Sequence, residues 1–164
     1  MLVDMRALLV TLTVAAAFVY FTSDSLPPIV ASHFVAGGAA NGFMPRATYV
    51  RFMAVLVIVL PLFIAFMAGL SGALPSRFVN LPNRDYWLAP ERQAETLAYL
   101  RRHGTRFGAL LAVFLCFVHW LVLRANALQP PHFPESLFFA GMAVFVVALI
   151  AWLGSFVAHF RRSP

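Results

Sequence analysis

Lysine is absent from this sequence, cysteine occurs once, and acidic residues number six. Each shortage excludes something. Cys116 stands alone inside an apolar run, so no intramolecular disulfide is available and no redox compartment can be read. Charged residues make up only 11% of the chain, against about 25% in soluble domains. Enzyme signatures are missing too: no HExxH, no GxSxG, no phosphate-cradling glycine loop, no carboxylate pair within an apolar run. Glu91 and Glu95 stand one helical turn apart, but among arginines that pattern is a solvated face. The expectation is a protein that is not an enzyme and carries no cofactor.

What is abundant is hydrocarbon. Hydrophobic residues reach 62%, and 164 residues cannot fold a soluble core that hides so much apolar surface. Lipid removes that difficulty. Four runs are long enough to consider: Ala7–Ser23, Phe52–Ser76, Phe107–Leu123 and Leu137–Phe160. They predict helices at about 5–23, 50–74, 106–124 and 136–160 within one membrane domain, 1–164. The first run is short, but Arg6 can snorkel and lengthen it. A cleaved signal peptide is its rival. Tyr20, Phe21 and Thr22 occupy the place of a small-residue cleavage site, which favours a retained helix.

Pro61 falls inside the second run, where its missing N–H frees a carbonyl and predicts a bend. Small residues recur at four-residue spacing in Ala65/Gly69/Ala73, Ala151/Ser155 and Gly154/Ala158, a pattern suited to close helix contact in lipid. The same faces serve within a chain or between chains, so oligomeric state stays open.

All twelve basic residues are arginine, and they lie between or beside the oily runs. That placement indicates membrane orientation and not a nucleic-acid partner. Arg6, Arg77, Arg84, Arg92, Arg101, Arg102, Arg106, Arg161 and Arg162 make nine on one side; Arg46, Arg51 and Arg124 make three on the other. The bias puts both termini and the 77–105 loop in the cytoplasm, and loops 24–46 and 125–135 outside.

The two large loops differ in character. In 24–46, Pro27-Pro28 stops a helix, Ile29 to Val35 reads as a short extended segment, and Gly37-Gly38 and Asn41-Gly42 are turn signals. The Asn-Gly pair suits a tight turn at positive φ. In 77–105, Pro90 at a first helical position, Glu91 and Glu95 early, Arg101 and Arg102 late and Gly104 as a stop predict a short amphipathic helix over 90–103. It would lie at the interface with Ala94, Leu97, Ala98 and Arg101 on one face, and Tyr86 and Trp87 anchored at headgroup depth.

Residues 26–46, LPPIVASHFVAGGAANGFMPR, resemble the extracytoplasmic motif of a large bacterial membrane-protein family defined by a domain of unknown function. Leu26, Pro27, His33, Phe34, Gly38, Gly42, Phe43 and Arg46 carry that resemblance. The same domain forms the N-terminal part of immunity proteins that protect sporulating bacilli against their own sporulation-delaying peptide toxin. NLPNRDYWLAPER resembles a recurrent cytoplasmic motif of stand-alone members, through Asn80, Pro82, Asn83, Asp85, Tyr86, Trp87, Pro90, Glu91 and Arg92. The likeness spans roughly the first two-thirds of the chain. Ala31 departs from it, standing where many members have proline, and the extra helical domain of the true immunity proteins has no copy here. The resemblance implies a stand-alone member in a bacterial inner membrane, an envelope sensor or immunity-like protein meeting a peptide, lipid or toxin through loop 24–46. Ile29, Val30, Phe34, Phe43 and Met44 would supply the contact surface. The alternative is an accessory subunit packed against a larger membrane complex.

Histidines complete the candidates. His33 and His132 each precede phenylalanine in a proline-rich outer loop, and with Asp24 or Glu135 they could offer a transition metal its donors if the loops met. They lack ligand spacing, and hydrogen bonds that pin the loops are the simpler reading. His119 shares a helical face with Cys116 inside the third run. An intramembrane histidine calls for a functional hypothesis. One such group is too few for a proton path, so a neutral imidazole bonded to a neighbouring helix is expected.

Overall fold

The computed structural model describes residues 2–70 and 79–161. In chain order these form α1 (Leu2–Thr22), a 3-10 turn (Ser23–Ser25), β1 (Ile29–Phe34), β2 (Ala40–Pro45), α2 (Arg46–Leu70), α3 (Arg84–Trp87), α4 (Pro90–Asn126) and α5 (Glu135–Arg161). Four of the helices (α1, α2, α4, α5) are long and apolar enough to cross a bilayer. The protein is therefore a multi-pass membrane protein, mostly helical, with one small antiparallel hairpin.

Periodicity explains which faces meet. Along α1 the buried positions are Leu8, Leu12, Ala15 and Val19; along α2 they are Tyr49, Met53, Val57, Pro61 and Ala65. These stripes close against α4 and give a three-helix core. Its upper part gathers Val19, Tyr49, Met53 and Val122 under Leu26, which precedes the hairpin, and the hairpin residue Val30. Its lower part gathers Leu8, Leu12, Ala65 and Ala112. Outside this core stands α5, whose only buried residue is Phe160. It leans on α4 through Phe145 stacked on Phe114, with ring centroids 4.3 Å apart.

Two expectations fail here for the same reason. Gly104 does not stop a helix, and residues 90–103 are not a separate interfacial helix; α4 runs unbroken through 37 residues, about 55 Å at the usual rise. Gly104, Gly108 and Ala112, spaced four residues apart, form a ridge of small residues, all buried against neighbouring helices. A Cβ on Gly104 would fall on that of Ala68, and one on Gly108 would come within 2.9 Å of the Pro61 carbonyl oxygen. The contact offsets the roughly 1 kcal/mol that glycine costs within a helix. The stripes singled out from sequence are not the packed ones. Ala65 is buried, but Gly69 and Gly154 face open space, Ala151, Ser155 and Ala158 are exposed, and Ala73 lies outside the described residues.

The packed face of the first turns of α4 also differs from the one expected. Thr96 and His103 are buried, and Tyr99 and Leu100 pack with Val79, Leu81 and Phe160, whereas Ala94 is exposed. Trp87 is no free anchor. Its indole N–H donates to the Phe160 carbonyl at 3.1 Å, closing the end of α5, while its own carbonyl accepts from the Thr96 hydroxyl at 2.8 Å.

Candidate functional site

Hairpin register sets the geometry of the loop-24–46 end. Ile29 pairs with Pro45, Ala31 with Phe43, and Phe34 with Ala40. The turn therefore falls on 35–39, where Gly37 and Gly38 take φ of +87° and +80°. Asn41-Gly42, expected as the tight turn, lies inside β2 instead. Gly42 is opposite His33, and a Cβ there would come within 2.8 Å of the His33 Cβ. Glycine serves close strand approach at this position.

Side chains from the helix ends hold the hairpin in place. Asn126, the last residue of α4, accepts from the Ala31 N–H at 2.8 Å and donates to the Ala31 carbonyl at 2.9 Å. It imitates a neighbouring strand at one residue. Glu135 accepts from the Gly37 N–H at 3.0 Å, and the Phe133 N–H donates to the Gly38 carbonyl at 2.8 Å. Arg46 donates to the carbonyls of Asp24 and Leu26 at 3.2 and 3.1 Å, closing the loop at its base. Phe34 stacks on Phe133 at 5.0 Å. Asn126→Leu is expected to leave the Ala31 amide and carbonyl unpaired at a cost of about 2 kcal/mol. Hydrogen exchange at Ala31 measures it, with protection falling about thirtyfold.

Most residues of the outer motif thus have a structural task. Leu26 enters the core, Gly38 makes the turn, Gly42 admits His33, and Arg46 ties the base. Pro27 is half-buried in the link that precedes β1. Val30, expected on the contact surface, is fully buried, and Phe34 and Met44 are half-buried. Ile29 and Phe43 remain outward, each 57% exposed.

The imidazoles of this end go to different partners. His33 Nδ1 bonds the Asn41 side-chain oxygen. His132 pairs its backbone with Ala39, and its ring lies against Gly38. Glu135 is engaged by Gly37, and among the described residues no three His, Cys, Asp or Glu side chains gather to hold a metal. The loops do meet, but through backbone hydrogen bonds and stacked rings.

Beneath the hairpin lies a buried polar network that joins all three core helices. His119, fully buried, bonds Tyr49 Oη through Nδ1 at 2.9 Å and Thr22 Oγ1 through Nε2 at 3.0 Å. Thr22 Oγ1 also lies 2.6 Å from the Phe18 carbonyl oxygen, which can only accept. The threonine hydrogen goes there, so Nε2 must be the donor to Thr22. In a neutral imidazole Nδ1 is then the acceptor, and Tyr49 donates to it. With that tautomer every donor and acceptor of the network is satisfied, and both ring nitrogens are engaged. Cys116 is not part of this network; its Sγ faces the Ala15 carbonyl at 4.0 Å. Sequence reasoning pointed to His119 but missed Thr22, Tyr49 and Asn126. Each is a polar residue within one turn of a run's end, which is the signal that could have found them.

At the opposite end the second motif is equally structural. Asn83 takes the left-handed conformation that starts α3, and Pro90 opens α4. Arg84 and Asp85 form an exposed ion pair at 3.1 Å, and the Arg92 guanidinium lies 3.9 Å from the Tyr86 ring centre. Asn80, Pro82 and Glu91 are exposed.

Comparison with family models, curated proteins and solved structures finds no match.

Proposed function

We propose that this chain is an envelope recognition protein, immunity-like in the sense of the resemblance above, that meets an apolar peptide ligand through the hairpin. One observation carries the reading. Ile29 and Phe43, each 57% exposed, and Val35 in the turn stay outward on a hairpin held by Asn126 and Glu135, so a rigid scaffold presents apolar side chains at a helix-bundle end. Rigid presentation lowers the ordering cost of binding. Three arginines at this end against nine at the other support an outward-facing hairpin in a bacterial inner membrane.

The test has two arms. Cysteine at position 40 should react with an impermeant maleimide on intact cells, and cysteine at position 85 only after lysis. Deleting the protein should then sensitise cells to added amphipathic peptide toxins, and Ile29→Ser/Phe43→Ser, though made in normal amounts, should fail to restore resistance. Full restoration by that variant ends the recognition reading. An accessory-subunit role has one observation in its favour, the stripe of small residues Ala151, Ser155 and Ala158, all three exposed on α5. A stoichiometric partner in gentle-detergent pull-downs, released by Ala151→Leu, would favour it.

A further inference from the structure

A different face of the bundle carries a site of its own. Between α1 and α5, α4 presents Val113, which is exposed, and Phe117, whose ring reaches across to Gly141 of α5, as a ridge with a groove along each flank. The groove toward α1 has a volume of about 520 Å³ and runs past Val10 to Phe18. The groove toward α5 has about 340 Å³, and Val113 and Phe117 line both. At the hairpin end of the ridge, Trp120 closes the first groove. Above it the Arg124 guanidinium lies 5.1 Å from the Trp120 ring centre, exposed and with no ion pair among the described residues. Arg124 is two residues from the end of α4 at Asn126, which puts it at the boundary of the crossing.

We propose that the ridge seats one diacyl phospholipid with an anionic headgroup, one chain in each groove and the phosphate on Arg124. The shape selects lipid over a second copy of the chain. A helix is about 10 Å across and needs one broad concavity, whereas two narrow grooves divided by a single row of side chains accept two thin chains. The charge selects an anionic headgroup. An unpaired guanidinium held over an indole presents its donor fork to phosphate oxygens at headgroup depth, without an internal carboxylate to compete. Ordinary boundary lipid shows no such preference, so selectivity is the signature to measure.

Native mass spectrometry of the full chain in mild detergent, with equal amounts of phosphatidylglycerol and phosphatidylcholine of the same chains, supplies the test. The wild type should retain one lipid and favour phosphatidylglycerol about tenfold. Arg124→Gln, an exposed change outside the core, should keep one bound lipid but bring the ratio to about one, and Arg124→Lys should recover part of the preference. Val14→Trp should fill the first groove and reduce retention of both lipids, with helical content unchanged by circular dichroism. A wild-type ratio near one, a ratio untouched by Arg124→Gln, or a dimer mass that Val14→Trp abolishes would each overturn the proposal.

Discussion

Gly108→Leu is expected to be the most damaging single substitution in this protein, lowering stability by about 3 kcal/mol. The helix backbones touch at this point. The Gly108 Cβ position is 2.9 Å from the Pro61 carbonyl oxygen of α2 and 3.4 Å from Leu8 of α1, so a side chain must push two helices away at once. Neither can yield cheaply, because Pro61 and Leu8 are themselves buried. In lipid the apolar solvent gives little drive to re-close the gap, and the lost van der Waals contact is a main source of helix association there. Gly154→Leu supplies the control: nothing lies within 4 Å of its Cβ position, so it should lose no stability and gain up to about 1 kcal/mol from removing a glycine within a helix. Titrating both variants with a denaturing detergent and following helical content compares them directly. Equal loss at the two positions would dispose of the packing account.

That contrast also shows where the sequence was readable. Four crossings were legible because twenty or so apolar residues in a row have one stable use, and the ends at Thr22 and Asn126 lie one and two residues from those expected; the end expected at 74 lies outside the described residues. Small-residue spacing was a weaker guide, because it marks every face on which a helix could pack and does not choose among them. Gly104 was misread because a glycine after two arginines matches a helix stop, while the ridge Gly104/Gly108/Ala112 becomes visible only if the helix is allowed to continue. The β-hairpin was half legible: Ile29 onward looked extended, yet its partner strand carries Asn41-Gly42, a turn signal that cross-strand crowding against His33 explains equally well. The choice between those uses belongs to tertiary contact and not to local preference.

Tyr49→Phe and His119→Leu are expected to cost about 1.5 kcal/mol each, and the double substitution about 2 kcal/mol, giving a coupling near 1 kcal/mol. The asymmetry comes from what is left behind. Without the Tyr49 hydroxyl, Nδ1 becomes a buried acceptor with no donor; without the imidazole, the Tyr49 hydroxyl becomes a buried donor with no acceptor. Removing both leaves neither group stranded. Measured interhelical hydrogen bonds in membranes average about 0.6 kcal/mol and reach about 1.7 kcal/mol, and a bond at 2.9 Å between fully enclosed partners belongs in the upper part of that range. Thr22→Val tests the assigned tautomer separately. It strands the Nε2 proton, so it should destabilise the wild type more than it destabilises the His119→Leu background, where no such proton exists. Equal effects in both backgrounds would mean that Nε2 does not donate to Thr22. Strict additivity of Tyr49→Phe and His119→Leu would remove the hydrogen bond between α2 and α4 from the account of how the core beneath the hairpin is held.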